Sequence, residues 1–90
     1  MRQVSLFGAT GTIGDNALDL MTRHADRFSL FAASADNNVD KLADIARRFN
    51  PSILVIGEAA GRERLAAALP DFSGEIWVGE SGLAQMAQQE

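Results

Sequence analysis

Several residue types that carry chemistry are scarce here. The 90-residue chain has no cysteine and no tyrosine, one histidine, one tryptophan and two prolines. Without cysteine it holds no disulfide framework, no thiolate-ligated zinc site and no cysteine nucleophile. Positive charge is also short: eight Lys and Arg against twelve Asp and Glu leave a net charge of −4. That excludes a general attraction for nucleic acid or anionic lipid. No apolar run approaches the roughly 20 residues that cross a bilayer. Met1-Arg2-Gln3 leads straight into a strand-like run, with no apolar signal core. These absences are compatible with a reducing cytoplasm, the expected location, with neither membrane nor nucleic acid as a partner. The hydrophobic fraction, 47%, is that of a globular chain and not a disordered one. Its length suffices for one small domain and is too short for two.

Apolar strands and amphipathic helices alternate along the chain. Val4 to Phe7 reads as a short buried strand. Ile13, Ala17, Leu20 and Met21 then follow at helical spacing, in a helix predicted to end near Arg23-His24. Phe28 to Ser34 is a second strand, and Asp36-Asn37-Asn38 a polar turn. Val39, Leu42, Ala46 and Phe49 trace one face of a second helix, which Asn50-Pro51 stops. Ile53 to Ile56, almost wholly apolar, suits a parallel sheet covered on both faces. Arg62 to Leu69 is an alanine-rich helix candidate, Ile76 to Val78 a fourth strand, and Ser81 the expected cap of a last helix carrying Leu83, Met86 and Ala87. Four βα units predict an α/β, Rossmann-like parallel sheet with helices on both faces. Doubly wound sheets usually have more strands, so the domain is expected to be incomplete.

The sharpest feature is the run Gly8-Ala9-Thr10-Gly11-Thr12-Ile13-Gly14, between the first strand and the first helix. A glycine at every third position suits a pyrophosphate cradle. The first permits a tight turn, the second leaves room for the ligand, and the third lets the helix lie close to the strand. The helix N-terminus offers unpaired N–H groups and a partial positive charge to phosphates. Gly8, Thr10, Gly11, Thr12, Ile13 and Gly14 are therefore candidate dinucleotide contacts. The Thr10 and Thr12 hydroxyls add donors, although Thr12 equally reads as a local helix cap.

A second candidate is Asp36-Asn37-Asn38, where the end of the second strand would meet the adenosine ribose. A carboxylate there accepts from the 2′-hydroxyl of NAD and repels the 2′-phosphate of NADP. No cation lies in this turn; the nearest is Lys41. The plainer reading makes Asn38 a helix cap and Asp36 a solvated turn residue. His24, near a helix end, has no catalytic partner nearby in sequence. Arg47 and Arg48 read as a solvated helix face, Asp15 and Asp19 as dipole and surface residues, and Trp77 as packing. No acidic cluster has metal-ligand spacing, and no nucleophile and base can be paired, so no catalytic or metal residue is assigned.

The run Val4 to Gly14 closely resembles the opening of 1-deoxy-D-xylulose 5-phosphate reductoisomerases. The resemblance continues through His24 to Phe28, Ala32 to Val39, Leu42-Ala43, Phe49-Asn50-Pro51 and Gly79-Glu80-Ser81-Gly82-Leu83. It implies an NADPH-dependent oxidoreductase and isomerase of non-mevalonate isoprenoid biosynthesis. Such an enzyme converts 1-deoxy-D-xylulose 5-phosphate to 2-C-methyl-D-erythritol 4-phosphate. The family forms homodimers and needs Mg²⁺, Mn²⁺ or Co²⁺. Its cofactor contacts carry over onto Thr10, Gly11, Thr12 and Ile13 and onto Asp36, Asn37 and Asn38. The family commonly has glycine where Asp36 stands and often a basic or small residue where Asn37 stands, so NADH stays open beside NADPH. Asn38 fits. The family's metal ligands, substrate-phosphate groups and closing loop lie beyond residue 90. The expectation is that residues 1–90 are an N-terminal dinucleotide-binding domain without catalytic and C-terminal domains, inactive alone. Two alternatives stand beside it. One is another NAD(P)-dependent oxidoreductase or epimerase, which would carry a Tyr-x-x-x-Lys pair further along. The other is a non-enzymatic NAD(P)-sensing module.

Overall fold

The computed structural model describes residues 2–9 and 11–88, with Arg2 and Ile13 described as backbone only. Eight elements alternate: β1 (Arg2–Leu6), α1 (Thr12–Arg23), β2 (Phe28–Ala35), α2 (Val39–Phe49), β3 (Ile53–Ile56), α3 (Ala59–Ala68), β4 (Glu75–Val78) and α4 (Gly79–Gln88). All strand pairs are parallel, and the sheet order β1-β2-β3-β4 follows the chain. Right-handed crossovers between successive neighbouring strands return over one face. Accordingly, α1, α2 and α3 share a face, where Leu18, Met21, Leu42, Ile45 and Leu65 form the main core with Leu54 and Ile56. The chain leaves that face after β4. Met86 and Leu83 of α4 pack on the other side with Ala32, Ile53 and Val55. Helices thus cover both faces, as the buried run of β3 predicts, but three lie on one and one on the other. Among the described residues no helix is long and apolar enough to cross a membrane.

The β1–β2 register is interrupted. Val4 pairs with Leu30 and Ser5 with Ala32, so Phe31 is an extra residue in β2. Leu30 and Ala33, three positions apart, therefore both join the main core. Strict alternation from Leu30 would have put Ser34 on that same face. The interruption turns Ser34 to the opposite face, alongside Val55 and Leu83.

α2 forms as its pattern predicts. Val39, Leu42, Ala43, Ile45 and Ala46 are buried, and Asn38 Oδ1 accepts the Lys41 N–H at 3.2 Å. Such a cap contributes about 1 kcal/mol. Asn50 ends the helix in the left-handed conformation, φ 48, and the buried Pro51 follows.

The structure corrects several expectations. β1 ends at Leu6, leaving Phe7 half-exposed in the following loop. Leu20 does not face the core: Gly14, Leu18 and Met21 form the buried stripe at positions i, i+4 and i+7, and Leu20 lies across the helix at 53% exposure. α3 begins at Ala59, three residues before Arg62. Ser81 is not a cap. Gly79, at φ 71, turns the chain from β4 straight into α4, which places Ser81 within the first helical turn.

Candidate functional site

The C-terminal ends of β1, β2 and β3 open into a cleft of about 510 Å³. That volume suits a cofactor-sized ligand. The cleft brings together Gly8 and Gly11 of the loop after β1 and Asp36, Asn37 and Asn38 of the turn after β2. Gly57, which follows β3, closes the base of that turn: its N–H donates to Ala35 O at 3.1 Å and to Asp36 O at 2.9 Å.

The three glycines do different jobs. Gly8 is required by its backbone, which sits at φ 67, a region that costs side-chain-bearing residues strain. Gly14 is required by space: a Cβ there would sit 2.4 Å from Ala9 O. Gly14 is buried and lies outside the cleft, so it acts by seating α1 against the loop. Gly11 has ordinary extended backbone, and a Cβ there would meet nothing closer than Gly8 O at 3.6 Å. Its lack of a side chain matters to the cleft and not to the fold.

The fate of the loop's N–H groups defines the chemistry. Gly8 N donates to Ser34 Oγ at 3.0 Å, Ala9 N to Ser34 O at 2.7 Å and Gly11 N to Gly8 O at 3.1 Å. The first helical bond of α1 runs from Asp15 N to Gly11 O at 2.9 Å. The N-cap residue is Gly11, and among the described residues no side chain caps this helix. Among the described residues, no acceptor takes the N–H groups of Thr12 or Ile13. They stand in the first turn of α1, where helix N–H groups and the helix dipole favour an anion. Thr12 is exposed and opens the helix without lining the cleft. Thr10 lies outside the described residues.

Asp36 and Asn37 are exposed at the rim. Among the described residues, no cation pairs with the Asp36 carboxylate. Asn38 lines the cleft while its Oδ1 caps α2, so capping and contact are compatible roles for one side chain. Lys41 turns the other way and pairs with Asp15 of α1, Nζ to Oδ1 at 2.7 Å and to Oδ2 at 2.9 Å. The pair ties the two helices that start at the cleft. As a largely exposed pair it adds about 0–1 kcal/mol. Among the described residues no three His, Cys, Asp or Glu side chains come together as a metal site.

Sequence reasoning did not single out Ser34, Gly57, Phe7 or Leu83, all of which line the cleft. Ser34 alone left a trace, as the one hydroxyl among the alanines that end β2.

Residues 4–90 match the family model of 1-deoxy-D-xylulose 5-phosphate reductoisomerase. The chain belongs to this family. A reductoisomerase of Laribacter hongkongensis is 42% identical over 87 residues, a match that covers 97% of this chain and 22% of that protein. One from Gloeobacter violaceus is 38% identical, over 99% of this chain and 23% of its own. Among solved structures, the reductoisomerase from Zymomonas mobilis in complex with NADPH superposes with a TM-score of 0.90 at 40% identity, covering 96% of this chain and 23% of that one. A reductoisomerase structure holding NADPH, fosmidomycin and magnesium gives a TM-score of 0.93 at 28% identity, covering 100% of this chain and 22% of that one. The chain thus spans under a quarter of the length of these reductoisomerases. Its Rossmann-like α/β fold is the family's.

Proposed function

We propose that residues 1–90 are the N-terminal NADPH-binding part of a reductoisomerase that converts 1-deoxy-D-xylulose 5-phosphate to 2-C-methyl-D-erythritol 4-phosphate in non-mevalonate isoprenoid biosynthesis. The observation that carries this is the meeting, in one cleft, of the glycine loop that leads into α1 and the Asp36–Asn38 turn. The residues fit a dinucleotide. In this reading Gly11 leaves the floor open to a pyrophosphate, the N-terminus of α1 that follows it supplies N–H donors, and Asn37 and Asn38, which line the cleft, meet the adenosine ribose. Gly8, Thr10 and Gly14 complete the loop. When bound, NADPH supplies the hydride. This chain binds the dinucleotide and fixes its orientation. In this reading the metal, Mg²⁺, Mn²⁺ or Co²⁺, the sugar-phosphate and the catalytic groups belong to further domains of the complete protein. A reductoisomerase similar to this chain holds NADPH, fosmidomycin and magnesium together. The resemblance further implies a cytoplasmic homodimer.

The complete protein is expected to oxidise NADPH on addition of 1-deoxy-D-xylulose 5-phosphate and a divalent metal, whereas the 90-residue chain alone is expected to bind NADPH without turnover. Loss of NADPH absorbance and calorimetry read the two. Turnover by the short chain, or none by the complete protein, would refute the proposal.

Asp36 sets the cofactor preference in this reading. A carboxylate near a 2′-phosphate meets a like charge in a half-wet site, a repulsion on the order of 1–4 kcal/mol. Asp36→Gly in the complete protein should raise the ratio of kcat/KM for NADPH over NADH by roughly tenfold, at the low end of that range. An unchanged ratio would make Asp36 a solvated turn residue.

A further inference from the structure

Ser34 is the buried polar residue of the described core, 3% exposed at a strand end otherwise made of Ala32, Ala33 and Ala35. Burying a hydroxyl without a partner costs about 1–3 kcal/mol by mutational measures, and a fourth alanine would avoid that cost. The hydroxyl has a partner in the cleft: its oxygen accepts the Gly8 N–H, while the Ser34 carbonyl accepts that of Ala9. One residue holds two successive amides of the glycine loop. The carbonyl bond is available to any residue at this position. The bond to Gly8 needs a side-chain acceptor, and it restrains the residue whose backbone, at φ 67, is freest to leave its conformation.

We infer that Ser34 is a positioning residue for the dinucleotide, acting through Gly8 to keep Gly11 and the Thr12 and Ile13 N–H groups aimed at the pyrophosphate. This rests on the dinucleotide reading of the cleft. Ser34 raises the fraction of molecules whose loop is ready to bind, and affinity follows that fraction. Its influence falls on the pyrophosphate that NADPH and NADH share. Asp36, at the ribose, distinguishes between the two.

The test uses the complete protein and calorimetric titration with NADPH, NADH and adenosine 2′-monophosphate, which has no pyrophosphate. Ser34→Ala should weaken both dinucleotides by the same factor, about 5–10-fold, the equivalent of one hydrogen bond, and leave the monophosphate unchanged. Ser34→Thr keeps the acceptor and should restore dinucleotide affinity. Unaltered NADPH binding by Ser34→Ala would overturn the inference. So would an equal loss for the monophosphate, which marks general damage to the cleft, or a Ser34→Thr variant no better than Ser34→Ala. If the unsubstituted protein binds the monophosphate but neither dinucleotide, the reading of the cleft falls, and the positioning role with it.

Discussion

Replacing Gly11 with valine is expected to abolish dinucleotide binding and leave the fold intact. Gly11 has φ −88 and ψ −179, a backbone conformation that β-branched residues adopt readily. Its Cβ position touches only Gly8 O, at an ordinary 3.6 Å. Gly11 is the N-cap of α1, where valine is less favoured than glycine, so unfolding stability should fall by only about 0.5–1 kcal/mol. In the proposed complex the added methyl groups occupy the floor of the cleft and push the pyrophosphate off the Thr12 and Ile13 N–H groups. Losing two or more hydrogen bonds to a charged group, each about 1.5–3 kcal/mol, weakens NADPH by roughly 100-fold or more. Calorimetry reads the affinity and urea unfolding the stability. A Gly11→Val protein that binds NADPH normally would place the ligand elsewhere.

Gly14→Ala should do the reverse, damaging the fold first. In an open helix this substitution stabilises by about 1 kcal/mol, because alanine has the better helix propensity. Here the new Cβ would lie 2.4 Å from Ala9 O, 2.6 Å from its carbonyl carbon and 2.7 Å from its Cα. All three atoms are backbone, and Ala9 is fully buried, so none of them can turn aside as a side chain would. Relief requires α1 to move off the loop, a strain of about 3 kcal/mol at the upper end of overpacking penalties. Strain exceeds propensity, leaving a net loss of about 2 kcal/mol and a fall in Tm of roughly 10 °C for a domain of this size. Calorimetric melting decides the sign: a rise in Tm would mean that α1 is not pressed against Ala9. The paired variants separate the glycine that makes room for the ligand from the glycine that makes room for the helix.

Much of this was legible in the residues because the signals were local. Gly8, Gly11 and Gly14 announced the loop, with no need to know where the rest of the chain goes. The α2 stripe and its Asn38 cap, and the doubly buried β3, followed from the same short-range rules. The errors arose where long-range packing chose between local options. Leu20 fits a helical period as well as Leu18 does, and only the position of the sheet decides which is buried. Ser81 is a good capping residue in the wrong place, because the left-handed Gly79 had already started the helix. The site was half legible. The residues after β1 and β2 could be named, but their approach to Gly57 and Leu83 depends on strand order. Ser34 was hidden for a different reason: its face depends on a register change that apolar patterning does not reveal.

That register change also governs how the strand tolerates changes in length. Phe31 divides β2 into a leading part, Phe28–Leu30, and a trailing part, Ala32–Ala35, each paired in its own frame with β1. The trailing part alone pairs with β3 and alone carries Ser34 to the Gly8 loop. Phe31 thus acts as an expansion joint. A residue inserted on the leading side is expected to be taken up there, leaving in place the frame that aligns Ala32 with Ile53 and Ser34 with Val55. The far end of the sheet and the cleft are thereby held in separate frames of one strand.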